Sequence, residues 1–291
     1  NEQPPPRTDT LHWLPLAFLF EFGFGQIFKW AERRGACAPV LVAVNYLVLA
    51  SVLALYFLAI DGLDLSAAAL KVGLVTGCVF ITSMTVLTTA LGLAHVGTVL
   101  TALRLSMVVP VAVSVLLWDE AISPSQIAGL ALALLALLLM TYGSSHAHKL
   151  PGPKALALIA AVFFCQGASS SCLRWVHYAG LDDQHLKVLL VIGSTAGLLG
   201  LVVIRLRGQR PRSLDILGGG GIGLYNLFAL AVILTALSQV SSAIFFPMMG
   251  CTVVIMDNLF AHFVWKESLS RTAVCGVALG LVSILLVAQR I

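Results

Sequence analysis

WDEAISPSQIAG at residues 118–129 and WKESLSRTAVCG at residues 265–276 carry one pattern at a constant offset of 147. Each stretch has Trp-x-Glu, a serine three residues after the glutamate, and a glycine six residues after that serine. A second set of matches has an offset of 145 and joins Glu21, Lys29, Trp30 and Gly35 to Gln166, Arg174, Trp175 and Gly180. These matches extend over the whole sequence and indicate two duplicated halves, 1–147 with a polar N-terminal tail and 148–291.

Composition places the two halves in a membrane. Hydrophobic residues make up 59% of the chain and charged residues 10%, against about 25% charged residues in soluble domains. Each of ten apolar runs is long enough to cross about 30 Å of hydrocarbon as a helix. The runs are 12–30, 37–60, 67–90, 96–117, 124–143, 155–175, 184–204, 214–237, 240–265 and 271–289. They predict an all-α membrane protein with ten transmembrane helices, and five spans per half make the two five-helix repeats inverted.

Several other classes of function are not supported by the sequence. Residues 218–223 match GxGxxG, but no strand precedes them and they lie inside an apolar run, so we predict no dinucleotide cofactor. No Walker motif, metal-ligand cluster or nucleophile–base arrangement is present, and the basic residues lack interleaved aromatic residues, which disfavours nucleic-acid binding. All six cysteines lie in or beside apolar runs without CxxC spacing, which predicts buried free thiols. No cleavable signal sequence is expected, because the first apolar run is too long.

The distribution of basic residues predicts an orientation. The loops after odd-numbered spans carry eleven lysines and arginines, namely Lys29, Arg33, Arg34, Lys149, Lys154, Arg205, Arg207, Arg210, Arg212, Lys266 and Arg271. The opposite side carries five, namely Arg7, Lys71, Arg174, Lys187 and Arg290. The positive-inside rule therefore predicts cytoplasmic odd-numbered loops and external termini.

The repeated unit resembles the EamA domain of the drug/metabolite transporter superfamily. The resemblance covers nearly the whole chain and lies in two sets of residues: Ala90-Leu91, Pro110, Glu120 and Gly129, then Ala236-Leu237, Glu267 and Gly276. It implies a transporter built from two inverted five-helix repeats, with the first, fourth and ninth spans beside a central cavity. It also implies cytoplasmic termini, opposite to the orientation that the charges predict. The second half departs from the family pattern because Asp257 stands where Pro110 stands in the first half.

Three ionisable residues lie deep inside predicted spans. At a rise of about 1.5 Å per residue, Glu21, Arg104 and Asp257 are each roughly 12–13 Å below the odd-loop face. A charge in a hydrocarbon span requires a partner or a cavity. One interpretation is an ion-pair network that fixes helix packing. The other is a substrate site where Arg104 binds a carboxylate or phosphate, Asp257 binds an ammonium and Glu21 carries the coupling proton.

Neutral polar residues extend this predicted layer. Gln166 takes the place of Glu21 in the second half, and Asn45, Tyr46, Tyr225, Asn226 and Asn258 also lie inside spans. We predict Gln166, Asn45, Tyr225 and Asn226 as substrate-binding residues, although hydrogen bonding between helices explains each of them equally well.

Simpler roles are predicted for the remaining polar and small residues. Lys29 and Arg174 are expected to snorkel towards the interface, and the five tryptophans to form an aromatic belt. Glu120 and Glu267 are expected to cap the helix that follows each of them. The pairs Gly193/Gly197, Gly219/Gly223 and Gly276/Gly280 have the spacing of closely packed helices.

The combined prediction is a secondary transporter that works by alternating access, is not an enzyme, and functions as a monomer in the bacterial inner membrane. One arginine with two acids suits a small zwitterion such as an amino acid. The alternatives are an exporter of organic cations or drugs and a nucleotide-sugar-like antiporter. Two rivals from other classes stay open: an enzyme acting on lipid-linked substrates through Asp182, Asp183 and His185, and a helical scaffold or receptor.

Overall fold

The computed structural model describes residues 12–60, 64–94, 96–142, 152–264, 266 and 270–289. Within these ranges the chain is helical and forms no strand. The α-helices, in chain order, are α1 (Trp13–Arg33), α2 (Ala38–Ile60), α3 (Ala67–Leu93), α4 (Val96–Leu105), α5 (Val108–Trp118), α6 (Pro124–Tyr142), α7 (Pro153–Tyr178), α8 (His185–Leu206), α9 (Ser213–Leu237), α10 (Ser242–Phe263) and α11 (Arg271–Ala288). A 3₁₀ turn, Asp182–Gln184, precedes α8.

Eight helical segments of the described chain are long and apolar enough to cross a membrane. They are α2, α3, α4 together with α5, α7, α8, α9, α10 and α11. Large apolar side chains point away from the protein, with Leu116 77% and Leu206 81% exposed. Such a surface is stable against lipid and not against water. The chain is therefore an all-helical, multi-pass integral membrane protein.

The two remaining predicted spans are α1, which is less apolar than the other eight, and α6, whose apolar part is shorter. Helix α1 carries Glu21, Lys29, Glu32 and Arg33, and the apolar part of α6 extends only over Pro124–Met140. The helix boundaries nevertheless match all ten predicted runs within a few residues. The ten-span count stays a prediction for these two helices.

The fourth predicted span is two helices, because the chain turns at Ser106 and Met107. Pro110 has no N–H to give the Ser106 carbonyl, and its ring would collide with that carbonyl in a continuous helix. The Ser106 carbonyl instead accepts a hydrogen bond of 3.0 Å from the Val109 N–H. The break places Arg104 in the last turn of α4, where the helix dipole favours a cation.

Two large apolar clusters form the core, and both mix helices from the two halves of the sequence. One joins residues of α2 and α3 to residues of α7, α8 and α9. The other joins residues of α1, α5 and α6 to residues of α9 and α10. The halves therefore share one bundle, and a cavity between helices has walls from both.

Glycines allow the closest helix contacts. Gly193 and Gly197 of α8 pack against α2 on one side, and Gly219 and Gly223 of α9 pack against α2 on another. A Cβ at position 223 would lie 2.6 Å from the Asn45 carbonyl oxygen. In lipid, helices associate through such close packing because water does not drive them together. The predicted packing role of these glycine pairs is confirmed.

Helices α6 and α11 pack on each other through glycines at matching positions of the two copies. The Gly129 carbonyl accepts a hydrogen bond of 2.8 Å from Ser283 of α11. A Cβ at Gly276 would lie 2.8 Å from both the Ala136 carbonyl oxygen and the Met140 amide nitrogen of α6. Since these are backbone atoms, they cannot move aside without separating the helices.

We therefore expect Gly276→Ala to destabilise the protein by about 1–3 kcal/mol, the usual cost of overpacking. Gly220→Ala is the matched control, because Gly220 is also helical and a Cβ there meets nothing within 4 Å. The control should be neutral or slightly stabilising, since alanine favours helix over glycine. Thermal unfolding in detergent measures both variants, and equal unfolding temperatures would contradict the packing argument.

One sequence prediction, the burial of the cysteines, is corrected by the structure. All six cysteines are free, but only Cys251 is buried, whereas Cys78 and Cys275 are exposed. Both exposed thiols lie on apolar helices with a lipid-facing side. Trp265 and Glu267 of the second repeated pattern lie outside the described residues.

Candidate functional site

Arg104 of α4 and Asp257 of α10, which are 153 positions apart, form an ion pair. The Arg104 Nη2 atom lies 2.9 Å from Asp257 Oδ2, and the side chains are 25% and 30% exposed. Gln26 of α1 donates a hydrogen bond of 2.8 Å from Nε2 to the other carboxylate oxygen of Asp257. Three helices from both halves thus converge on one carboxylate, and both of its oxygens are occupied.

Glu21 lies near this pair but is bound differently. It is half-buried in α1 and close enough to interact electrostatically with both Arg104 and Asp257. The described residues form no hydrogen bond to the Glu21 carboxylate, and this acid is open to a proton or a cation.

Glu21 opens into a small cavity of about 100 Å³ between helices of both halves. Aromatic rings form much of the wall: Phe24, Tyr46, Phe80, Phe245 and Phe246. The polar lining residues are Glu21, Ser83, Gln166, Ser169, Ser170 and Asn226. Glu21 is the one charged residue among the described residues that line this space.

The predicted binding residues fall into three groups. Glu21, Gln166 and Asn226 line the cavity, whereas Arg104 and Asp257 bind each other beside it. Asn45 and Tyr225 are not among the lining residues. Asn45 is 2% exposed at the contact between α2 and α9, and the Tyr225 hydroxyl lies against Gly23 of α1. The predicted binding role of these last two residues stays a prediction.

Ser83 and Ser169 were missing from the sequence prediction. Ser83 donates a hydrogen bond of 3.1 Å to Gln166 Oε1 and joins α3 to α7. Ser169 and Ser170 follow Gln166 by three and four positions, and this spacing places all three on one helix face. The run Ser169-Ser170-Ser171 inside an apolar span was the signal that could have revealed them.

A second ion pair, which is fully buried, corrects two predictions. Arg174 does not snorkel, because it is 1% exposed and its Nη2 atom lies 3.4 Å from Glu120 Oε2. Glu120 does not cap the helix that follows it but accepts a hydrogen bond from the N–H of Ser242, the first residue of α10. The Tyr178 hydroxyl donates a further bond of 3.0 Å to Glu120. The prediction considered neighbours along the sequence, whereas the partners come from the other half.

The ion pair of Arg104 and Asp257 permits a test between the structural and substrate-binding interpretations. We expect Arg104→Gln and Asp257→Asn each to lower stability by about 1–2 kcal/mol, less than for a fully buried pair because both groups are partly exposed. The doubly neutral variant should recover most of that loss in thermal unfolding. Because this pair lies beside the cavity, we expect the double variant to retain ligand binding. Normal stability with no ligand binding would instead indicate that the pair contacts the ligand directly.

Comparison with known proteins identifies the fold but no activity. No family model matches the chain. An uncharacterized protein of Haemophilus influenzae is 22% identical over 288 residues, which cover 94% of this chain and 96% of that protein. A crystal structure of another protein superposes with a TM-score of 0.81 at 14% identity, covering 97% of each chain. The helical arrangement is therefore one already observed in a solved structure.

Proposed function

We propose that this protein is a secondary transporter, which moves a small polar metabolite across the membrane by alternating access. The observation that carries the proposal is the cavity between the halves, where Glu21 is a half-buried acid with no hydrogen-bonding partner among the described residues. Transporters place their substrate sites near the midplane, between repeats. An ionisable residue inside the membrane favours an ion or substrate pathway.

The proposal includes ten spans in two inverted repeats of the EamA type within the drug/metabolite transporter superfamily. The packing pattern supports a twofold relation between the halves. In the proposed repeat, helices α1, α2 and α3 correspond to α7, α8 and α9. The contact of α2 with α9 then corresponds to the contact of α8 with α3, and the contact of α3 with α7 corresponds to that of α9 with α1. All four contacts are present. The facing glycines of α6 and α11 agree with the same relation.

Two substrate classes follow from the site. The zwitterion predicted from the sequence requires Arg104 to bind a carboxylate, and this stays a prediction. An organic cation is the second candidate, favoured by the ion pair with Asp257, which neutralises Arg104 beside the cavity. Glu21 then faces a space with aromatic walls, where an ammonium gains from both the carboxylate and the ring faces. This geometry favours the cation.

The rival classes have less support within the described residues. Asp182, which an enzyme would require at the interface, binds His177 at 2.8 Å in the turn before α8, and neither residue lines the cavity. A scaffold or receptor does not explain an acid that faces an internal cavity. We further propose that the protein acts as a monomer in the bacterial inner membrane.

Flux into proteoliposomes, with and without an imposed proton gradient, tests the proposed function. We expect a subset of radiolabelled amines or amino acids to accumulate only when the gradient is present. Protein-free liposomes and the Glu21→Gln variant are the controls. Absence of flux across a broad panel of metabolites would contradict transport, and product formation without flux would favour the enzyme.

A further inference from the structure

Gln166 presents a hydrogen-bond donor to the cavity. Its Oε1 atom accepts the bond from Ser83, and this leaves the two N–H bonds of the amide available. No described residue accepts a hydrogen bond from them, and Gln166 is among the lining residues. The bond to Ser83 fixes the direction of the amide, so the donor is held in place before any ligand arrives.

Ser169, one turn along α7, is the least explained polar group of the cavity wall. The residue is 6% exposed, and its hydroxyl oxygen is buried without a hydrogen-bond partner among the described residues. A buried hydroxyl without a partner costs about 1–3 kcal/mol. Several other hydroxyls avoid that cost by bonding to their own helix, as Ser171 does to the Gly167 carbonyl at 2.8 Å.

Asn226 of α9 adds a second neutral amide to the uncharged polar groups of the cavity wall. It is 6% exposed, lines the cavity, and makes no hydrogen bond to the described residues. The lining residues thus offer one carboxylate, several neutral donors and acceptors, and no lysine or arginine. A carboxylate moved from water into this space would lack a positive partner, which is unfavourable. An amide or hydroxyl group of a ligand would instead find hydrogen-bonding partners there.

We propose that Gln166, Ser169 and Asn226 form a neutral hydrogen-bonding subsite, and that the substrate is an amine with an adjacent uncharged polar group, such as an amino amide or amino alcohol. The ammonium binds Glu21 and the uncharged group binds the subsite. The proposal rests on the proposed transport function and narrows its substrate class. It excludes two simpler classes, the zwitterionic amino acid and the purely apolar amine.

Four compounds with the same side chain separate these classes: phenylalaninamide, phenylalaninol, phenethylamine and phenylalanine. We expect calorimetric titration of the purified protein to show phenylalaninamide and phenylalaninol binding about 5- to 10-fold more tightly than phenethylamine, the gain from one or two neutral hydrogen bonds. Zwitterionic phenylalanine should bind more weakly than any of the three.

Ser169→Ala should remove this advantage and leave phenethylamine binding unchanged. It should not lower the unfolding temperature, because it deletes a hydroxyl that lacks a partner. Ser171→Ala is the matched control: Ser171 is also buried in α7 but does not line the cavity, so the advantage should persist. Gln166→Leu provides a second variant from the same subsite and should weaken the amide ligand most.

The outcomes separate the subsite from the transport proposal. Equal binding of phenethylamine and phenylalaninamide, or an unchanged preference in Ser169→Ala, would overturn the subsite and leave amine transport intact. Tightest binding by phenylalanine would overturn the subsite and restore Arg104 as the ligand for a carboxylate. No binding by any of the four, together with no flux, would overturn both proposals.

Discussion

Under the proposed transport mechanism, we expect Glu21→Gln to abolish gradient-driven uptake, because the variant keeps the shape of the side chain but cannot carry a proton or a negative charge. The described residues donate no hydrogen bond to this carboxylate, whereas both oxygens of Asp257 are occupied by Arg104 and Gln26. Glu21 is therefore the acid available for a proton inside the cavity. Uptake into proteoliposomes at several pH values measures the effect, and an unchanged pH dependence would remove Glu21 from the mechanism.

Substrate exchange in the absence of a proton gradient distinguishes two possible roles of Glu21. If Asp257 holds the substrate and Glu21 only the proton, as the sequence predicts, Glu21→Gln spares exchange. The proposed amine site gives both tasks to Glu21, and we then expect amine binding to weaken about 10- to 100-fold, as for the loss of a charged hydrogen bond. Glu32→Gln is the control, since Glu32 lies on the same helix but is exposed.

Glu120→Ala should produce the largest loss of stability in this protein, about 3–5 kcal/mol. The substitution leaves the buried Arg174 guanidinium without its carboxylate, and deprives the Ser242 N–H and the Tyr178 hydroxyl of their acceptor. Arg174 keeps the carbonyls of Leu237 and Val240 and the ring of Tyr178 as partners. Carbonyl dipoles do not replace the negative charge.

Asp119→Asn is the control for this prediction, because Asp119 is the neighbouring acid but is exposed, and asparagine tolerates its left-handed backbone at φ 52°. The double variant Glu120→Gln with Arg174→Met should recover part of the loss, since it removes both buried charges. Unfolding of the purified protein in detergent gives the comparison. A Glu120→Ala variant as stable as Asp119→Asn would show that the pair contributes little.

The helices were predictable from the sequence because each apolar run has to satisfy its backbone internally in lipid. Runs such as 37–60 and 271–289 agree with α2 and α11 to within one residue at each end. The break between α4 and α5 was not predicted, although Pro110 was recognised. A proline disturbs the turn that precedes it, and the position of the break depends on the carbonyl of Ser106 rather than on Pro110 itself.

The candidate site was predictable only where charge was involved. Counting residues along spans placed Arg104 and Asp257 at one depth, and the structure brings them together at 2.9 Å. The same counting could not show which groups face the cavity, since this depends on helix rotation. Ser169 was missed because a hydroxyl in a span ordinarily bonds to its own helix, and only the fold reveals that this one does not.

Accessibility of the cavity from both faces of the membrane is the direct test of alternating access. A variant with Ser170→Cys, made after the six native cysteines are replaced, carries one thiol on the cavity wall. Arg210→Cys, in the exposed loop between α8 and α9, is the control and should react with a membrane-impermeant maleimide from one face only. Alternating access predicts that the thiol at position 170 reacts from either face, and that phenylalaninamide slows both reactions. Reaction from one face only, with and without the ligand, would contradict the account.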